Sequence, residues 1–190
     1  MRRLPRSRLV RGARPRAAVP RQGSVGSNEV FAIIDLRPIE RDEGAAALAV
    51  LDAGFRELWG LDAEGIRARY DPLEDLADPA AHYAEHRGAF LVLVDEGRVI
   101  GTGGIAALGS EIAELKRLGI LKAYRGKGLG RRVVEGLLVF ARWDGYRCVR
   151  LEVATPEVQE PAIRLYARLG FRMIDRYREG PCELSMGRNL

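Results

Sequence analysis

Two cysteines and two histidines are all that the 190 residues contain. Cys148 and Cys182 cannot build a disulfide framework and no CxxC is present, which fits a reducing, cytoplasmic setting. His82 and His86 lie one helical turn apart with no HExxH around them, so surface positions and no metal site are expected. No apolar run approaches the ~18 residues of a membrane span, which argues against a membrane partner. Acids are missing from Met1 to Asn28, a stretch with eight arginines. The other 23 basic residues face 26 acidic ones, a balance of −3 against the whole chain's +5. The excess positive charge therefore belongs to the first 28 residues, and specific nucleic-acid recognition by the rest is not expected.

What is present describes one globular domain. Hydrophobic residues make up 47% and charged residues 30%, enough apolar chain for a core. Prolines 5, 15 and 20 oppose a helix in the first 28 residues. That stretch reads as a disordered basic arm, with a transit peptide or loose polyanion binding as other readings. The domain is expected over residues 29–190.

Val30–Leu36 suits a buried strand ended by Pro38. Glu40–Leu58 has helical composition, with Leu48, Leu51, Phe55 and Leu58 on one face and Gly60 as its end. A second helical region is expected between Asp71 and His86, with Asp71 and Asp78 as N-caps before prolines. The acidic face of that region is either solvated or attractive to a cationic amine. Phe90–Val94 and Arg98–Ile105 read as a hairpin around Glu96-Gly97. Gly101-Thr102-Gly103-Gly104 lies inside a strand with no following helix, so it is no dinucleotide fingerprint. Its glycines are expected beside something bulky. In the next strand, alternation puts Glu114, Lys116, Leu118 and Ile120 on one face unless a bulge intervenes.

The strand leads into Arg125-Gly126-Lys127-Gly128-Leu129-Gly130-Arg131 and then a helix with Val133, Leu137 and Phe140 at helical spacing. A helix N-terminus has unpaired N–H groups and partial positive charge, and glycines let a ligand approach its backbone. The spacing fits a phosphate cradle but not a P-loop, because Gly128 stands where a hydroxyl is needed.

This segment resembles the coenzyme A pyrophosphate loop of GNAT-family N-acetyltransferases. Ala113–Leu118 is similar to the family's strand before that loop. Gln159 through Phe171, with Pro161, Ala162, Leu165, Tyr166 and Gly170, resembles its later helix, although the family's usual Asn is Gln159 here. The resemblance implies an α/β (α+β) fold: a mixed, mostly antiparallel sheet of about six to seven strands flanked by about four helices. It implies acetyl-CoA as cosubstrate and no metal. Pantetheine would pair with the backbone of Leu118, Gly119 and Ile120. The diphosphate would be held by Arg125, Gly126, Lys127, Gly128, Leu129, Gly130 and Arg131, and Gln159 would contact the cofactor. Glu114 would act as general base and Tyr166 as general acid. The expected reaction is direct transfer of acetyl to the primary amine of a small molecule or amino acid. A protein N-terminus or lysine as acceptor, a non-catalytic acyl-CoA-binding module and a polyanion-binding protein are the rival readings. A homodimer is one assembly compatible with them. Removing residues 1–28 is expected to leave folding and catalysis intact, as measured by thermal unfolding and turnover of the truncated chain.

Overall fold

The arrangement of glycines, prolines and apolar runs resolves into seven strands and five helices in a computed structural model that describes residues 34–190. The expectations for the first 28 residues, and for the start of the first strand at Val30–Ile33, lie outside the described residues. The strands are β1 (Asp35–Pro38), β2 (Ala89–Asp95), β3 (Arg98–Ala107), β4 (Ile112–Ile120), β5 (Cys148–Val153), β6 (Arg172–Ile174) and β7 (Leu184–Asn189). They form one sheet in the order β1-β2-β3-β4-β5-β7-β6. Only the β4–β5 pair is parallel. Pro38 ends an edge strand, where a missing N–H is tolerated.

The helices are α1 (Gly44–Trp59), α2 (Ala63–Arg69), α3 (Pro79–Glu85), α4 (Leu129–Trp143) and α5 (Glu160–Arg168). Gly60 ends α1 in the left-handed region at φ 67°, as its position implies. The most buried side chains of α1 are Ala47, Val50 and Leu51, while Leu48 and Phe55 are only partly covered. The helix α2 lies outside the helical stretches expected from the sequence; Asp62 caps it by accepting from the Gly65 N–H. The helical region expected over Asp71–His86 is broken. Asp71 Oδ1 accepts the Leu73 N–H at 2.9 Å, and Leu73 sits at φ 55°, so no helix begins at Pro72. A short 3₁₀ turn at Glu74–Leu76 follows, and Asp78 then caps α3.

One cluster packs α1, α2 and α3 on β2, β3 and β4. A second packs α4 and α5 on the other face, with Val133, Val134 and Leu137 fully buried. Each such side chain contributes roughly 1.5–3 kcal/mol of transfer free energy. The glycines of β3 are where the two layers press closest. A Cβ at Gly103 would lie 2.4 Å from Val133 Cγ1 of α4, and one at Gly104 would lie 2.6 Å from the Tyr83 ring of α3. The bulky neighbours expected from the sequence are therefore helices on opposite faces. Among the described residues no helix is long and apolar enough to cross a membrane.

Gly103→Ala should destabilise the protein by about 1–3 kcal/mol through overpacking. Gly54→Ala, within α1 and with nothing within 4 Å of the new Cβ, should stabilise it by about 0.5–1 kcal/mol. Urea unfolding of both variants checks the opposed signs.

Candidate active site

The site begins where two strands part. The parallel ladder between β4 and β5 runs through Ile112–Cys148, Ala113–Val149 and Glu114–Arg150, and goes no further. Beyond it, Leu115–Ile120 and Leu151–Val153 share no ladder, so the strands fork with Glu114 at the apex. The cause is a bulge in β4. Gly104 pairs with Lys116 but Thr102 pairs with Gly119, so Gly103 faces both Arg117 and Leu118. Arg117 takes a left-handed conformation at φ 57°. One extra residue inverts the alternation. Glu114, Lys116, Leu118 and Ile120 therefore do not share a face. Leu118 and Ile120 pack in the α4 cluster, while Gly119 sits against Leu51 and Val50 of α1.

Side-chain charges hold the bulge. Arg117 donates from Nε to Asp75 Oδ2 at 2.9 Å and from Nη2 to Asp75 Oδ1 at 2.6 Å and Asp71 Oδ1 at 2.9 Å. Tyr83 donates to Asp75 Oδ2 at 2.7 Å, and buried Thr102 donates to the Arg117 carbonyl at 2.8 Å. Burial alone would raise the Asp75 and Asp71 pKa values, but the Arg117 hydrogen bonds and charge outweigh it and hold both below the usual carboxylate range. Of the acidic stretch, Asp71 and Asp75 are thus folded onto Arg117, while Glu74 and the helix cap Asp78 are exposed to solvent.

One tine of the fork leads to the glycine turn. A 3₁₀ turn at Lys122–Tyr124 precedes Gly126 and Gly128, at φ 78° and 76°, and Gly128 is the N-cap of α4. With no side chain, Gly128 cannot cap the helix as Asp62 and Asp78 cap α2 and α3. From Gly126 to Arg131 no main-chain N–H has an acceptor among the described residues. The flanking side chains are engaged elsewhere: Arg125 with the Ile120 carbonyl and Glu57, Arg131 with Glu135, and Lys127 over the Tyr124 ring. Leu129 is buried in the α4 cluster, and Gly130 lets Leu165 of α5 approach, at 3.4 Å from its ideal Cβ.

The last turn of α1 touches both tines. Glu57 accepts from Arg125 at 2.8 Å beyond the end of β4, and Trp59 donates from Nε1 to Thr155 Oγ1 at 2.9 Å beyond the end of β5. Gln159 serves that second turn, its Oε1 accepting the Ala154 and Thr155 N–H groups at 2.9 and 3.1 Å.

Glu114 is 6% exposed, and its Oε1 accepts from Tyr177 at 2.8 Å and pairs with Arg178. Its Oε2 has no partner among the described residues. Arg178 also bonds Glu152 at 2.6 Å. Nothing in the sequence flagged Tyr177 and Arg178, which reach Glu114 from a loop more than 60 positions away. Tyr166 packs edge-on against Phe171, and its hydroxyl has no partner among the described residues. Burial pushes that hydroxyl's pKa up. Burial also pushes the Cys182 thiol up to about 11, which disfavours a thiolate. His82 and His86 stack on the exposed side of α3, and no group of metal-ligating side chains occurs among the described residues.

The Acetyltransferase (GNAT) family sequence model matches residues 53–171. The chain is 36% identical over 110 residues to the Mus musculus "Probable N-acetyltransferase family 8 member 5", covering 55% of this chain and 48% of that protein. It is 40% identical over 116 residues to the "Uncharacterized N-acetyltransferase YjgM" of Escherichia coli (strain K12), covering 57% and 68%. It is 35% identical over 104 residues to the Xenopus tropicalis N-acetylaspartate synthetase, covering 53% and 37%. The match to the mouse protein thus spans about half of that relative's length. Among solved structures, an acetyltransferase from Streptococcus agalactiae superposes with a TM-score of 0.72 at 20% identity, covering 84% of this chain and 100% of that one. The PaiA N-acetyltransferase of Thermoplasma acidophilum, solved with coenzyme A, superposes with a TM-score of 0.67 at 18% identity, covering 83% and 99%.

Arg117→Leu should lower stability at neutral pH by roughly 3–5 kcal/mol, because two carboxylates lose their buried partner. In the wild type the depressed Asp71 and Asp75 pKa values contribute stability above the ordinary Asp value of 3.8, and this is lost as pH falls through their folded values. The deficit of the variant should therefore shrink as pH falls toward and below about 4, as measured by denaturant unfolding across pH.

Proposed function

The chain belongs to the GNAT family of acetyltransferases, and on that premise we propose that it transfers acetyl directly from acetyl-CoA to the primary amine of a small molecule or amino acid. The observation that carries the proposal is the uncapped row of N–H groups from Gly126 to Arg131, opening beside the β4–β5 fork. Such a row at a helix start suits a diphosphate. The likeness to an N-acetylaspartate synthetase supports an amino acid as acceptor. The same reading makes the protein a cytoplasmic enzyme with no metal requirement.

Acetyl-CoA supplies the acyl group as a thioester. The chain's own residues then divide the work. Gly126, Lys127, Gly128, Leu129, Gly130 and Arg131 hold the diphosphate through the backbone, and Arg125 fixes the turn through the Ile120 carbonyl. Leu118, Gly119 and Ile120, on the edge of β4 that has no ladder to β5, pair with the pantetheine amides. A main-chain N–H near Leu118 aimed at the thioester oxygen would lower the barrier by roughly 3 kcal/mol. Oε2 of Glu114 takes the amine proton, directly or through one water. Tyr166 returns a proton to the departing sulfur, and burial keeps that proton in place at neutral pH. Gln159 acts mainly by holding the β5–α5 turn, its oxygen being committed to that turn.

A panel of amines with acetyl-CoA, followed by thiol release, tests the activity. Turnover on a small amine or amino acid is expected. Coenzyme A binding with no turnover on any of them would favour a protein acceptor or a non-catalytic role. Tyr166→Phe should lower kcat by ~10²-fold with KM for acetyl-CoA little changed, and an unchanged kcat with chemistry rate-limiting would remove Tyr166 from the mechanism. Gly128→Ala, strained at φ 76°, should instead raise KM for acetyl-CoA.

A further inference from the structure

The half-sheet β5–β7–β6 is covered by α4 and α5 on one side, while α1 to α3 pack only on the other half. A concavity of about 750 Å³ at this half-sheet is lined by Arg150 and Arg172 from the uncovered face, together with Arg176, Arg188, Asp175 and Tyr177. Its size is within the range of small-molecule sites. Four arginines against one acid among the lining residues is a local reversal in a domain that carries more acids than bases.

None of these arginines is neutralised, and three of them are held in place. Elsewhere arginines meet carboxylates: Arg37 meets Glu43, Arg87 meets Asp144 and Arg178 meets Glu152. Among the described residues, none of the four pocket arginines has a carboxylate within salt-bridge distance. Arg176 donates to the Gly180 carbonyl at 2.9 Å and Arg188 to the Leu169 carbonyl. The Arg150 guanidinium lies over the Tyr177 ring, 5.3 Å from its centroid. Arg150 and Arg172 both stand opposite Gly187, so they project from one face of the sheet. Planar forks with their charge unspent are receptors for carboxylate or phosphate oxygens.

The pocket adjoins the candidate proton acceptor. Arg150 is the register partner of Glu114 at the apex of the fork, and Tyr177, whose ring forms a wall of the pocket, donates its hydroxyl to Glu114. We infer that this concavity receives an oxyanion, carboxylate or phosphate, borne by the acceptor amine, with the amine turned toward Glu114. The acceptors are therefore anionic amines and not simple alkylamines or polyamines. This assignment rests on the acetyl-transfer reading above and names the substrate class of the same site.

The test compares L-glutamate and O-phosphoethanolamine with ethanolamine and cadaverine, on the full-length protein and on Arg172→Gln and Arg150→Gln. Both turnover and calorimetric binding in the presence of coenzyme A are measured. For the wild type, kcat/KM should favour an anionic amine over both ethanolamine, with its neutral tail, and cadaverine, with its cationic one, by tenfold or more. Each variant should raise KM for that anionic amine about tenfold or more, leaving kcat and coenzyme A affinity within about twofold. Which anionic amine responds tells carboxylate from phosphate. If no amine turns over, acetyl transfer to small amines fails. Binding of L-glutamate or O-phosphoethanolamine that is lost in Arg172→Gln would still uphold the pocket. Equal kcat/KM for the anionic amines and for ethanolamine or cadaverine, or variants that change only the oligomeric state, would overturn the inference, as would the absence of both binding and turnover with either anionic amine.

Discussion

The ion pair between Arg117 and Asp75 is the constraint on which the rest of the site depends. Two opposite charges taken out of water give little net stability compared with well-packed apolar groups. Their value here is register. The inverted alternation of β4 exists only if Arg117 faces the Asp71–Asp75 segment, because the other face of the sheet is filled by Val133 and Leu137. A one-residue slip would drive a guanidinium into that apolar layer and strand two carboxylates. The pair thus fixes the bulge, the bulge carries β4 away from β5, and the unladdered edge that remains is where a linear amide ligand can add. Tyr83 joins the same cluster through Asp75 while its ring fills the space left by Gly104, so packing and charge enforce one register together.

The glycine turn depends on the same geometry. It begins where β4 ends, and Arg125 reaches back to the Ile120 carbonyl to set its direction. The absence of a side chain at Gly128 leaves the start of α4 without an internal partner, in contrast to the aspartate caps of α2 and α3. The two device types recur with opposite purposes: a capped helix start is closed to ligands, and an uncapped one is open.

Much of this was legible in the sequence because it is local. The hairpin at Glu96-Gly97, the start of α4 at Leu129, the end of α1 at Gly60 and the α5 stretch ending at Gly170 each depend on residues a few positions apart, and each is found close to where the pattern puts it. What escaped is long-range. The partner of Arg117 lies 42 positions upstream, and the partners of Glu114 lie 63 and 64 positions downstream. An acidic run looks the same whether it is solvated or folded onto an arginine. Strand alternation likewise cannot reveal its own interruption, since a left-handed Arg117 carries no compositional mark. The four pocket arginines are scattered over strands and a loop and converge only once β5, β6 and β7 are aligned.

The last turn of α1, with Glu57 joined to Arg125 and Trp59 joined to Thr155, acts as a spacer bar between the tips of two strands that would otherwise be free to zip together. Wedge width is therefore fixed during folding and not at the moment of encounter. A ligand entering the gap finds the strands already separated, and the ordering penalty that weakens many strand-addition complexes has been met by the helix layer. The same bar makes the gap's dimensions answer to the packing of α1 on the sheet. Substitutions under that helix, at Val50 or Leu51 and far from any reacting atom, thereby become a route by which the width of the slot is tuned.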